Sequence, residues 1–317
     1  MINTIRTTVL SVLNKNNYGY LSPSDFNLFA KQAQLDIFED YFYRYNNQIN
    51  KENGRSSGVD YADIKKGLEH AIDAFSETGG LVREIENSFF LPSQATTGDD
   101  YYLMNKVLVY RSVLTSGETT SVGSTNTLID SSATFQALGV AVGDTIGIED
   151  GVVRYEKVVS VTSETELVST GTYWDATGMK YSIIKKGTKQ EELEKVSNSR
   201  ITMLQNSSIT KPSLSFPVYA QEGNALTALP STIEEVARVT SQYIRYPKDP
   251  NWTYMSLSGG EPVFNQSNSD FQDFELSIRD SNNLIIKILQ YAGITIREAS
   301  INQYAKGEEI QDKQEQG

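Results

Sequence analysis

NKNNYGYLSPSDFNLFAKQAQLDIFEDYFYRY, residues Asn14–Tyr45, joins a polar, glycine-bearing turn to the start of a helix. Ser22 stands where an N-cap belongs, Pro23 follows at the first helical position, and Asp25 lies three residues after Ser22, close to a capping box. Beyond it Phe26, Phe29, Ala30, Ala33, Ile37, Phe38, Tyr41, Phe42 and Tyr45 recur at helical spacing. That stripe is too wide and too aromatic for a helix touching only a small core. It predicts burial on more than one side, by the helix's own domain and by a neighbouring copy.

Working outward, Ile5, Val9, Val12 and Leu13 predict a short first helix, and Ile64, Leu68, Ala71, Ile72 and Phe75 give one face of a helix over residues 60–75. Residues 82–91 read as strand before Pro92. From Lys106 to Lys186, Ser, Thr, Val and Gly dominate, and VLVYRSVL, NTLID, GDTIGIED, VRYEKVVSVT, TELVST and KYSIIKK alternate with turn signals. Such spacing predicts a small closed antiparallel barrel, because closure removes sticky edges. Residues 189–205 read as a polar helix with a thin stripe of Leu193, Val196, Ile201 and Leu204. Residues 243–246 read as a strand stopped by Pro247, while the segment before them is open between helix and strand. Asp280 or Ser281 caps a helix carrying Leu284, Ile285, Ile288, Leu289 and Ala292, with Gly293 at its end, a short strand over 294–296 and a further helix from Glu298. The expected fold is therefore α+β: helical N-terminal and C-terminal segments form one core, with an inserted small antiparallel β-barrel. The expected divisions are 1–105 helical, 106–186 barrel, 187–305 a mixed return segment, and 306–317 a flexible tail.

The formal net charge of −12 over 317 residues gives no affinity for phosphate, which argues against DNA wrapping or RNA clamping. With no cysteine there is no disulfide and no thiolate chemistry. No signal peptide and no apolar run of membrane-spanning length is read, so no membrane partner is expected. A twelve-residue calcium loop would use Asn14, Asn16, Tyr18, the Tyr20 carbonyl, Ser22 and Asp25, with Gly19 at its sixth position. Only Asp25 among these is acidic, so a capped turn explains the residues better than a metal. His70 is the single histidine, and there is no phosphate-binding loop, nucleophile elbow or dinucleotide fingerprint. The acidic pairs Asp99/Asp100, Glu191/Glu192, Glu234/Glu235 and Glu308/Glu309 read as solvated. No catalytic residue, metal site or cofactor is expected. Aromatic residues crowd two places instead, Tyr41–Tyr45 and Tyr243–Tyr254, where Tyr, Trp and Arg suit a protein interface.

Two segments carry a resemblance. NKNNYGYLSPSDFNLFAKQAQLDIFEDYF is similar to the opening of head-to-tail connector or tail-ring proteins of tailed bacteriophages, including crAss-like podoviruses. YIRYPKDPNWTY and FELSIRDSNNLIIKILQYAGITIRE resemble the closing part of the same group. The likeness covers about the first 75 residues and residues 243–305, with weaker support from NTLIDSSATFQALGVAVGDTIGI. It implies a virion neck or tail ring subunit, made in the host bacterial cytoplasm and commonly present in twelve copies. Its partners would be the portal and adjacent ring or tail proteins, with genomic DNA passing without specific binding. The expected oligomer interface is Phe26, Phe29, Phe38, Tyr41, Phe42, Tyr45, Tyr243, Tyr246, Trp252, Tyr254, Leu284, Ile288 and Tyr291. The alternative is an adhesin or glycan-binding virion module using the β-domain, with Trp174 or Trp252 as binding aromatics.

Overall fold

Turn chemistry and β-type residues govern most of the chain, and the computed structural model follows them. It describes residues 1–14, 21–54, 64–124, 126–256 and 262–296. Among these the helices are α1 (Ile2–Asn14), α2 (Pro23–Gly54), α3 (Ile64–Asp73), α4 (Asn198–Asn206) and α5 (Ser281–Ile296). The first strands are β1 (Ser76–Gly80), β2 (Arg83–Ile85), β3 (Ser88–Phe90) and β4 (Tyr101–Tyr110). Next come β5 (Thr115–Glu118), β6 (Thr127–Ile129), β7 (Thr145–Glu149), β8 (Val153–Val161), β9 (Glu166–Ser169) and β10 (Lys180–Ile184). The last are β11 (Gln190–Lys195), β12 (Val218–Glu222), β13 (Ala225–Leu229), β14 (Val239–Arg245), β15 (Tyr254–Ser256) and β16 (Pro262–Phe264). The chain divides into two compact units, 1–75 with 247–317, and 76–246.

In the first unit the capped start behaves as its residues dictate. The Asp25 backbone N–H donates to Ser22 Oγ at 3.1 Å, and the Ser22 hydroxyl donates to the Asp25 carboxylate at 2.6 Å. The stripe of α2 is covered by α3 and α5, and α1 packs on α5. Phe26, Ala30, Ala33, Phe38, Leu284, Ile288 and Ala292 are all fully buried. Asn27, Lys31 and Gln34 share one face of α2, as positions three and four apart must, and that face holds the segment 248–275. Gln34 Nε2 donates to the Lys248 carbonyl at 2.8 Å, and Gln34 Oε1 accepts from the Glu275 N–H at 3.0 Å. Asn27 pairs with the Asn251 side chain and the Trp252 N–H, and Lys31 with Asp249.

The second unit holds two sheets. The larger has the order β1-β14-β4-β11-β12-β13-β3-β2, all antiparallel except the parallel pair β11/β12. Its core includes Leu81, Phe89, Val107, Val109, Leu193, Leu226, Ile233 and Val239. The smaller has the order β5-β10-β7-β8-β9-β6 around Phe135, Ile146, Ile148, Leu167, Trp174, Tyr181 and Ile183. Its outer strands approach each other, for the Thr120 N–H donates to the Ile129 carbonyl at 3.0 Å. The sheets meet where Tyr155 Oη donates to the Ala237 carbonyl at 2.8 Å and Ser182 Oγ to the Val236 carbonyl at 2.7 Å. Gly147 permits that approach, since a Cβ there would lie 2.3 Å from the Ala237 Cβ.

The expected α+β fold, a helical core carrying a small inserted barrel, is overturned. The chain is mostly β, in two curled sheets of eight and six strands with five α-helices among the described residues. The eight-stranded sheet draws strands from both sides of residues 106–186, so β structure is not an insert between helical ends. The physical reason lies in β11 and β14. β11 buries only Leu193 among its charged residues, whereas β14 is buried on both faces, so neither shows the alternation of a half-solvated strand. Two local readings fall with it: 190–195 is strand rather than helix, and α5 runs through Gly293 to Ile296 in place of the strand expected over 294–296. The turn over 15–20, which holds Asn16, Tyr18, Gly19 and Tyr20 of the calcium-loop alternative, the helix from Glu298 and the tail 306–317 lie outside the described residues.

Candidate interaction surface

The thirteen residues expected at an oligomer interface occupy varied environments. Phe26, Phe38, Tyr41, Tyr243, Trp252, Leu284 and Ile288 are buried by their own chain. Phe29 stacks on Tyr291 with centroids 6.4 Å apart, and Phe42 meets Phe38 edge-on at 5.2 Å, all in the first unit. Tyr41 Oη donates to Asp280 at 2.7 Å, and burial first, then that hydrogen bond, pushes the phenol well above its ordinary range. Tyr45 Oη donates to Glu69 at 3.0 Å, and Tyr291 Oη donates to Asp36. Only Tyr246, 40% exposed, and Tyr254, 46% exposed, present a large surface to solvent. The aromatic stripe is thus spent mainly inside the subunit.

Both tryptophans are enclosed. Trp252 donates Nε1–H to Asn3 Oδ1 at 3.0 Å, carries the Arg6 guanidinium 3.8 Å over its ring, and stacks on Tyr254 and Phe264. Trp174 donates Nε1–H to Ser169 Oγ at 2.7 Å within the core of the smaller sheet. Neither offers an open face to a sugar ring.

Of the carboxylates singled out by sequence, Glu192 pairs with Lys106 at 3.0 Å, Glu191 with Arg111 at 3.7 Å and Glu235 with Arg238 at 2.6 Å. These are ion pairs within or beside the larger sheet rather than acids converging on a cleft. His70 is exposed on α3. Two other buried carboxylates are bound to backbone or hydroxyl donors. Burial raises Glu149 above the ordinary glutamate value, against the Arg83 backbone N–H at 2.8 Å and the charges of Arg83 and Lys180. Burial would raise Asp130 too, but the Ser132 hydroxyl, the Tyr181 hydroxyl and the Ser132 N–H outweigh it and hold the group below its usual range. Among the described residues no group of three or more His, Asp or Glu is placed to hold a metal ion, and no helix is long and apolar enough to cross a membrane.

The surface that sequence reading missed surrounds α4. Because β11 and β12 run parallel, the chain crosses from the end of one to the start of the other, and α4 lies on that crossing. No residue of α4 is buried. Met203 is 74% exposed, and Ile209 and Phe216 on the same crossing are 92% and 80% exposed. Beside them lies a cleft of about 610 Å³ lined by Val196, Leu204, Ile209 and Phe216, with Lys195, Arg200 and Lys211 among its polar residues. A helix with no buried side chain gains nothing from its own core, and large exposed apolar side chains gathered at one place mark a contact surface. The available sequence signal was the thin stripe of α4 followed by Ile209 and Phe216 in a segment without a helical or strand period. Compared with known proteins, the chain matches no protein-family model and no curated protein.

Proposed function

We propose that this chain is a structural subunit of a bacteriophage virion neck or tail: a ring protein that stacks beneath the portal around the DNA channel, in about twelve copies. One observation carries the reading. The segments that resemble phage connector proteins, residues 1–75 and 243–305, are far apart in sequence, yet nearly the same residues make up one compact unit, 1–75 with 247–317. The two longer runs of resemblance fall almost wholly in that one folding body, as a shared module would, while the weaker likeness at residues 126–148 lies in the other unit. The exposed apolar surface at α4 supports assembly over catalysis, because such patches serve protein contacts. The acidic balance, −12 overall, supports a channel wall that DNA passes without adhering. Heterologous contacts closing around a rotation axis would be the assembly rule.

The test is the mass and image of the purified chain, alone and with portal protein, by mass photometry and negative-stain microscopy at micromolar concentration. Closed rings, or rings nucleated on the portal, are expected. A monomer that stays monomeric beside assembled portal overturns the reading.

A further inference from the structure

The cleft beside α4 differs in charge from the rest of the molecule. Its lining carries three cations, Lys195, Arg200 and Lys211, against one carboxylate, Glu194, on a chain whose net charge is −12. Lys195 Nζ donates to the neutral Gln221 side chain at 3.0 Å. Arg200 and Lys211 form no ion pair among the described residues. The same lining carries the apolar side chains of Val196, Leu204, Ile209 and Phe216. The site therefore asks for an extended segment that sets a branched apolar side chain among carboxylates.

The chain contains such a segment at its own C-terminal end. Residues 306–317, KGEEIQDKQEQG, place Ile310 directly after Glu308 and Glu309 and two residues before Asp312, with four acids against two lysines. We propose that the C-terminal segment of one copy docks in the α4 cleft of a second copy. Ile310 then meets Leu204 and Phe216, and Glu308, Glu309 and Asp312 face Arg200, Lys211 and Lys195. Opposite charges around a small apolar centre fix register and suppress wrong partners, and a short segment held this way adds avidity to a ring whose main contacts lie elsewhere. This inference rests on the ring reading only in requiring a second copy.

A cross-complementation experiment on full-length chains tests it. One variant reverses the cleft (Arg200→Glu with Lys211→Glu), and the other reverses the tail (Glu308→Lys with Glu309→Lys). Each alone is expected to weaken self-association about tenfold or more by sedimentation velocity, and an equimolar mixture is expected to restore it, since each chain then supplies the other's complement. Circular dichroism of both variants checks that folding is kept, which the exposure of Arg200 and Lys211 favours in the cleft variant. A labelled peptide of residues 304–317 should bind the full chain, lose affinity for the cleft-reversed variant, and regain it when the peptide carries both lysines. Failure of the mixture to recover overturns docking between copies, as does equal binding of a scrambled peptide of the same composition. Wild-type rings unaffected by either variant would sink this inference and leave the ring reading standing. Recovery in a mixture that forms only dimers would do the reverse.

Discussion

At the scale of single residues, the fold depends on a few side chains that satisfy backbone groups from distant parts of the chain. Gln34 is 1% exposed and joins the Lys248 carbonyl to the Glu275 N–H, so α2 and the 248–275 segment share both of its hydrogen bonds. Gln34→Ala removes a donor and an acceptor at once and fills neither place. The expected cost is about 1 to 3 kcal/mol, the penalty for two backbone groups left without this partner in a partly buried site. It would be read as a lowered urea midpoint, and a loss under about 0.5 kcal/mol would show that water replaces the amide. Glu149 gives a prediction of opposite character. Its folded value is raised above the ordinary 4.5, chiefly by burial. The unfolded chain therefore releases this proton more readily than the folded one. The group's favourable contribution is complete below the ordinary value and is lost as pH rises through the raised folded value. Asp130 is held low and runs the other way, its contribution lost on acidification. The difference between wild type and Glu149→Gln isolates the first effect. Across the range just above pH 4.5 the wild type should lose stability relative to the variant, measured by urea unfolding at several pH values. A constant difference would mean that the carboxylate is not desolvated in solution.

At the scale of elements, α2 was legible because each level of its sequence agrees: cap, Pro at the first position, and a stripe at helical period. Five strands of the smaller sheet, β6 to β10, were legible for the same reason, each bounded by turn residues, whereas β5 lay outside the runs read as strand and VLVYRSVL went to β4 of the larger sheet. β11 was not. Its sequence, QEELEK, has helix-forming residues and one buried position, and the strand state is imposed by β4 on one side and β12 on the other. The Lys106–Glu192 and Arg111–Glu191 pairs join it to β4 and its flank, information that no local window contains. The interface expectation turns on a related point. Helical spacing identifies a stripe that will be buried, but does not say whether the cover comes from the same chain. Here α3 and α5 supply it. The α4 surface escaped notice because no buried face organises its sequence. That contrast predicts the response of two elements to truncation. Met203→Ala and Phe216→Ser should change folding stability by about 0.5 kcal/mol or less, whereas Phe89→Ala in β3, at a fully buried position, should cost about 3 to 5 kcal/mol. Thermal unfolding of the three variants decides the matter. A large loss at Met203 would place that side chain in a core.

At the scale of the whole molecule, the division of the chain predicts which piece can live alone. β1 and β14 are paired antiparallel with Ser76 opposite Ile244, so the two ends of residues 76–246 emerge side by side. Both β cores lie wholly inside that span, one reaching from Leu81 to Val239 and the other from Leu128 to Ile183. Cutting at Phe75 and Tyr246 removes none of their apolar partners and leaves the sheet order intact. The excised piece is therefore expected to fold by itself, with cooperative urea unfolding and dispersed amide resonances. Residues 1–75 alone face the opposite situation. Phe26, Ala30 and Phe38 would lose Leu284, Ile288 and Ala292 of α5 from the unit's core, and Gln34 and Asn27 would lose the 248–275 segment. At roughly 25 cal/mol per Å² of apolar surface left in water, a helical fragment with a face this wide has no compensating term except association or collapse. It should be unfolded or aggregated at concentrations where 76–246 is monomeric and native. A well-folded, monomeric 1–75 fragment would mean that α5 is an accessory to the first unit instead of half of its core, and a molten 76–246 would mean that its two sheets need the rest of the chain to hold their register.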